Sequence, residues 1–435
     1  MTGLKFSIAF QRRGRSNAQS FLHAESESMT QSSRTPRRVP LILALVLVGL
    51  NLRPSMAAIG PLLTSIRNTI PLSYTVVSLL TMLPVLAMGF AMFRGARLAA
   101  RWGEHRVIAV ALLVIGLASL ARLHASTALD LILSAVVAGM GIAIIQSVMP
   151  GIIKSRFPNA VALLMGVYVT AIMGGAALAA STSPFIGAWL GDWQHALAAW
   201  SALAAVALAA WYAIRGDIVS FDAADTGAAL QEESLAARPR AWLLGIFFGL
   251  GTASYTCVLA WLPPFYVEQG WSDTHAGLLL AYLTSMEVVS GLVMPALASR
   301  HADRRPVLLL VLASVIAGFV GLILAPVAYP VVWAGLLGIG IGGLFPLSLI
   351  VAMDHMDAPR RAGQLTAFVQ GVGYLIAALS PLIAGFIKDV SSSFTEAWLL
   401  LAVVSAGMTF MVQRFRPADY PRHFAVRSAP AAAER

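Results

Sequence analysis

The chain has 435 residues, of which 58% are hydrophobic and 11% charged, with a mean hydropathy of +0.78. A soluble domain carries about 25% charged residues, so this composition excludes an ordinary water-soluble protein. The net charge of +10 is no nucleic-acid footprint, because the basic residues fall between apolar runs and are not interleaved with aromatics on a polar face.

Residues 1–39 are polar and basic (Arg12, Arg13, Arg15, Arg34, Arg37, Arg38) and are expected to be a disordered tail. No apolar h-region with a small-residue cleavage site precedes residue 40, so no cleaved signal peptide is expected. Met29 opens a more compact start. Twelve apolar runs follow, at about 40–63, 74–94, 107–123, 128–153, 161–181, 194–214, 241–267, 275–298, 306–326, 329–353, 364–387 and 396–413. A bilayer core of about 30 Å takes roughly 20 residues to cross as a helix. Runs of this length without period-2 alternation are helices rather than barrel strands.

The first run holds one charge, Arg53, in the context Asn51-Leu52-Arg53-Pro54-Ser55. At 1.5 Å per residue it lies about 20 Å past Pro40, near the bilayer midplane. A guanidinium there costs roughly 3 kcal/mol on insertion scales. Pro54 cannot donate to the Leu50 carbonyl, so the helix should open beside the charge. Gly49 and Ala57 keep the same face small, which suits either close packing or a cavity. Two readings stand: a structural arginine paired to carbonyls or a carboxylate, or a contact to an anionic or polar solute. Asn51 is a second candidate contact.

Further along, Gln146 stands near the middle of the fourth run. On the fifth, Ala171, Gly175 and Ala179 form a small-xxx-small face suited to close helix approach. On the seventh, Tyr255 and Trp261 could form an aromatic wall; Trp261 could equally anchor at the interface, given Pro263 and Pro264. Glu287, in the eighth run, is the other deep charge. It could pair with Arg53, carry a coupled proton, or sit protonated and hydrogen-bonded as a structural group. The tenth run carries Gly335, Gly338, Gly340, Gly342 and Gly343, read as close packing with a gating alternative, and ends at Asp354 and His355, expected to be solvated or paired with Arg360 or Arg361. Thr366, Gln370 and Tyr374 form an i, i+4 polar stripe on the eleventh, which should face protein or water because facing lipid would be costly. The stripe serves a solute or interhelical hydrogen bonds.

The single cysteine, Cys257, allows no disulfide within the chain, and no Cys/His metal motif occurs. No GxxxxGK[ST] loop is present, so no nucleotide or other cofactor is expected. Of the 30 Lys and Arg, Arg67, Arg122 and Lys388 fall on one side of the twelve spans and Arg53 lies within one; the rest lie on the other side. That asymmetry places both termini in the cytoplasm. The polar stretch 215–240 divides the chain into a six-helix half at 40–214 and a second at 241–414, with a tail at 415–435. Leu98-Ala99-Ala100-Arg101 matches Leu297-Ala298-Ser299-Arg300, and Ser183-Pro184-Phe185-Ile186-Gly187 matches Ser380-Pro381-Leu382-Ile383-Ala384-Gly385, as an internal duplication would leave. Duplicated halves imply alternating access to a midplane site.

The 6+6 plan with basic loops after spans two and eight resembles the major facilitator superfamily. Its G-x-L-A-D-R-x-G-R-R-R loop is matched by Ala96–Arg106, with Ala100 at the Asp position and Ser299 in the second half; Arg101 and Arg300 remain and are the expected gating-loop residues. Within it, the chain is similar to the cyanate/2-nitroimidazole permeases. The matching motifs are Asn51-Leu52-Arg53-Pro54-Ser55, Trp261-Leu262-Pro263, Phe345-Pro346-Leu347 and Gly371-Val372-Gly373-Tyr374-Leu375-Ile376-Ala377. The likeness covers roughly residues 40–414. It implies an all-α integral membrane protein of twelve helices, and helices equivalent to the first, fourth, seventh and tenth lining a cavity, which favours Gln146.

The expected function is therefore alternating-access transport of a small anionic or polar solute across the inner membrane, with Arg53, Asn51, Gln146, Tyr255, Trp261, Gln370 and Tyr374 as candidate contacts and Glu287 tying transport to protons. The expected partners are the solute, protons and the lipid bilayer, with a monomeric chain. Drug export is the alternative within transport. A non-transporting sensor would need a signalling domain longer than either tail, and an enzyme would need a polar cluster at a membrane face.

Overall fold

The computed structural model describes residues 38–72, 74–215 and 235–424. The expected tail before residue 38, the centre of the 215–240 linker and residues 425–435 lie outside the described residues. The chain divides after Leu41. Of the leading unit, residues 38–41 are described, and only Arg38 to Leu41 of the first helix fall in it.

Among the described residues, twelve helices are long and apolar enough to span a membrane. The first span, α1 (Val39–Thr69), is broken into Arg38–Asn51, Pro54–Ala57, a 3-10 turn at Gly60–Leu62, and Leu63–Thr69. The others are α2 (Tyr74–Trp102), α3 (Glu104–Leu120), α4 (Ala128–Arg156), α5 (Val161–Leu190), α6 (Trp193–Ala213), α7 (Pro239–Glu268), α8 (Asp273–Ala298), α9 (Arg305–Leu324), α10 (Pro330–Asp354), α11 (Pro359–Ser391) and α12 (Thr395–Gln413). All twelve expected spans are present. Several run past their apolar limits: α2 continues from residue 94 to Trp102, and α11 reaches Ser391. Hydropathy ends where the bilayer core ends, but the backbone has no reason to stop hydrogen bonding there.

Local chemistry sets the ends. Thr127 and Asp130 form a reciprocal capping box at the start of α4. Asp192 caps α6 and Ser272 caps α8 through their side chains. Gly191 closes α5 at φ 97°, and Gly103, at φ 82°, is the single-residue link from α2 to α3. Side chains rarely adopt those dihedrals, which accounts for the glycine at this point of the basic loop. Large apolar side chains such as Phe185, Trp189, Phe386 and Phe410 are exposed on the helices, as suits a hydrocarbon solvent rather than water.

Within the first six spans, α2 packs on α4, and α3 on α4 and α6; within the last six, α7 packs on α11, α8 on α10, and α9 on α10 and α12. The two sets meet through α2 and α4 on α11 and through α5 on α8 and α10. Glycines permit these approaches. A methyl group built on Gly89 would lie 2.9 Å from Leu375 Cγ, and one on Gly371 would lie 2.7 Å from Phe93 Cζ. The small face of α5 packs against α1, where a Cβ on Gly175 would overlap the Leu50 carbonyl and one on Gly49 would meet Ala171 Cβ at 2.9 Å. The glycines of α10 are likewise buried packing surfaces: Gly338 and Gly342 abut the α8 backbone at Leu283 and Glu287, and Gly340 abuts α9 at Val311.

Candidate functional site

The break in α1 is the first element of the site. The Leu52 amide donates to Gly49, three residues back, and the helix stops at Asn51. Pro54 has no amide hydrogen to continue the ladder. The chain restarts as a one-turn helix whose N-cap residue is Arg53, with the Arg53 carbonyl accepting from the amides of Met56 (3.0 Å) and Ala57 (2.9 Å). Arg53 is half-buried, between fully buried Leu52 and Pro54. The Tyr374 hydroxyl is a near neighbour of the Arg53 guanidinium.

Three of the polar residues expected at the site come together across the two sets of helices. Tyr374 of α11 donates its hydroxyl to Gln146 Oε1 of α4 at 3.1 Å, and Gln370 Nε2 donates to the Gln146 carbonyl at 3.3 Å. All three side chains are buried. Thr366, the remaining member of the stripe, bonds within its own helix, to Ala362 and Gly363. Asn51 is buried with its Nδ2 unpartnered.

Glu287 is buried on α8, with Oε1 lacking a hydrogen-bond partner. Among the described residues neither Glu287 nor Arg53 forms an ion pair, so the pairing of these two deep charges is not made in this conformation. Tyr255 is half-buried on α7. Thr170 of α5, whose hydroxyl is also unpartnered, packs toward Gly291, one turn along α8 from Glu287.

Trp261 is placed elsewhere. Its indole N–H donates to the Pro381 carbonyl at 3.0 Å, and its ring packs on Phe394 and near Gly385. Its described contacts belong to the packing of α7 against α11 and the start of α12, not to the cluster around Arg53. Arg101 and Arg300, the expected gating-loop residues, are both exposed, and neither side chain forms a hydrogen bond or ion pair among the described residues. Contacts at that end are made by other residues. Lys154 of α4 donates to the carbonyls of Met353 and Met356 at the end of α10. Arg304 pairs with Asp354 at 2.9 Å. Arg240 donates to His355 at 3.0 Å, and His355 stacks on Tyr420. The expectation for Asp354 is solvation or pairing with Arg360 or Arg361; the ion pair seen is with Arg304, and His355 accepts from Arg240.

Two functional candidates carry no clear sequence signal. Tyr168 of α5 is buried with its hydroxyl unpartnered; a tyrosine in an apolar helix is unremarkable as sequence. Arg122 reads as a loop charge but is fully buried.

Comparison with known proteins agrees with this arrangement. The Major Facilitator Superfamily profile matches residues 41–381. The chain is 40% identical over 383 residues to the cyanate transport protein CynX of Escherichia coli, covering 88% of this chain and 98% of that protein. It is 31% identical over 369 residues to the 2-nitroimidazole transporter of the same organism, covering 85% and 93%. Among solved structures, the fold is similar to the proton:xylose symporter XylE (TM-score 0.73, 14% identity, 87% of this chain and 95% of that one) and to the E. coli fucose:proton symporter FucP (TM-score 0.68, 12% identity, 88% and 100%).

Proposed function

For this chain, which belongs to the Major Facilitator Superfamily and is a multi-pass inner-membrane transporter, we propose that the solute is a small, cyanate-like anion bound at Arg53. One observation carries this reading: Arg53 is half-buried at a helix break and forms no ion pair among the described residues. An arginine left without a carboxylate deep in a membrane needs a compensating group, and a small anion supplies one. Tyr374, Gln146 and Gln370 join the two sets of helices beside it, so a solute there touches both. Transport, not catalysis, is the activity assigned, and the single chain is taken as the working unit because it contributes both sides of the site.

We take the basic end to face the cytoplasm, from the Lys and Arg asymmetry. With α4 latched to α10 there by Lys154, the conformation is the one closed on that side. Glu287 is the proposed proton carrier, since its buried, unpartnered oxygen can accept a proton. A proton moving with an anion cancels the charge that would otherwise work against the membrane potential.

A planar nitro-heteroaromatic such as 2-nitroimidazole is the second reading, favoured by the 31% identity to the 2-nitroimidazole transporter of Escherichia coli. Proteoliposomes loaded with the purified full chain separate the two, using [14C]cyanate and labelled 2-nitroimidazole in parallel. Uptake of cyanate that is lost in Arg53→Ala is the expected result. Wild-type uptake by a well-folded Arg53→Ala protein would remove Arg53 from the site.

A further inference from the structure

We infer that Arg122 is a positioning residue for Arg53: it holds the break in α1 open in the shape that presents the Arg53 guanidinium. This rests on the reading of Arg53 as the solute-binding group.

Arg122 lies in the 3-10 turn Ala121–His124 that follows α3, and it is fully buried. It forms no ion pair among the described residues. Its Nη1 donates to the Ser55 carbonyl at 2.5 Å, and its Nε donates to Ser134 Oγ of α4 at 3.0 Å. The Ser134 hydroxyl in turn donates a hydrogen bond to the Leu131 carbonyl. The guanidinium therefore ties the turn after Pro54 to α4.

The Ser55 carbonyl is available because of the break. In a continuous helix it would accept from the amide of residue 59. Here the Ile59 amide donates to Met56 instead, at 3.4 Å, and the chain tightens into the 3-10 turn at Gly60. A buried carbonyl stripped of its helical donor needs another. Arg122 supplies a charged one, among the stronger hydrogen-bond donors available. Ser55 is the second residue of the one-turn helix that Arg53 caps. Fixing its carbonyl fixes the turn from which the Arg53 side chain projects. Without Arg122, this segment would gain by re-forming the Ile59-to-Ser55 bond, which lengthens the one-turn helix and re-orients the turn that Arg53 caps.

The full-length protein tests this with two readouts. The first is KM and Vmax for [14C]cyanate in proteoliposomes. The second is hydrogen–deuterium exchange of the peptide spanning residues 52–62 in detergent. In Arg122→Met, loss of a charged hydrogen bond should raise KM by about tenfold or more and change exchange in 52–62, with exchange in α8–α12 unchanged. Arg122→Lys, which can still reach one acceptor, should recover part of the KM. Ser134→Ala, which removes the second anchor only, should give a smaller change of the same kind and serves if Arg122→Met does not fold. Wild-type KM in these variants overturns the proposal, and so does a raised KM without altered exchange in 52–62, which would make Arg122 a direct solute contact. Should Arg53→Ala itself transport normally, the site reading fails, while the exchange result on 52–62 still reports on what Arg122 holds.

Discussion

The Tyr374 hydroxyl donates to Gln146 Oε1 at 3.1 Å across the boundary between the first six and last six spans. The bond sits where α4 meets α11, and alternating access requires those helices to part. It therefore exists in one family of conformations only, and stabilises that family relative to the other.

Tyr374→Phe removes the bond while keeping the ring. A neutral hydrogen bond contributes about 1 kcal/mol net, or roughly fivefold in an equilibrium. The variant should shift the protein by about that factor toward the state open at the basic end. Maleimide labelling of a Gly151→Cys reporter, in a Cys257→Ala background, should speed up accordingly. Thr366→Val is the control, because the Thr366 hydroxyl bonds only within its own helix and its loss should leave labelling unchanged.

Glu287→Gln keeps the shape of a side chain whose Oε1 has no partner and removes its ability to carry a proton. The proposed coupling makes a specific split. Solute exchange between two loaded compartments should survive, while accumulation driven by an imposed pH gradient should vanish. Both are measured on the same proteoliposomes. A variant that still accumulates cyanate against its gradient would leave Glu287 with a structural role alone.

Packing at the α1–α5 contact offers a stability test. Gly175 leaves no room for a Cβ against the Leu50 carbonyl, whereas Gly60 has nothing within 4 Å of the same position. Overpacking costs typically 1–3 kcal/mol, here borne by backbone, which cannot rotate away. Gly175→Ala should lower the melting temperature in detergent by several degrees; Gly60→Ala should not lower it. Because the strained contact adjoins the α1 break, Gly175→Ala should also impair cyanate transport.

The parts of the site that sequence reveals are those that violate a local rule. Arg53 is conspicuous because a charge in an apolar run is expensive, and Pro54 beside it announces the break. Gln146, Gln370 and Tyr374 stand out as polar groups on helices that otherwise face lipid or protein, though their convergence needs the packing of α4 on α11. Arg122 breaks no rule as sequence: it follows an apolar run, where a loop charge belongs, and only the tertiary fold turns it inward to Ser55. Tyr168 is invisible for a related reason, since tyrosines are ordinary in helices. Arg101 and Arg300 show the reverse case, a recognisable pattern whose partner positions hold Ala100 and Ser299, so that the contacts pass to Lys154 and Arg304. Trp261 was ambiguous between wall and anchor because one indole serves either; its bond to Pro381 depends on the course of α11.

Closure at the basic end is open to direct capture. A Cβ built on Gly151 of α4 lies 3.6 Å from Gly363 Cα of α11, and one on Gly363 lies 3.2 Å from Gly151 Cα. A disulfide needs Cβ atoms about 3.5–4.5 Å apart, so Gly151→Cys with Gly363→Cys, again with Cys257→Ala, should cross-link under mild oxidation. The bridge should arrest [14C]cyanate transport, and a reductant should restore it. Lys154 is the nearest polar tie, donating to the Met353 and Met356 carbonyls where the end of α10 carries its partial negative charge. Lys154→Met deletes that tie while keeping the apolar stem, so the same cysteine pair should cross-link more slowly. Lys154→Arg retains a cation and several donors, and should cross-link at close to the original rate. An unchanged rate in Lys154→Met would show that α4 and α11 are held together by their packing at Gly151 and Gly363 without help from the lysine.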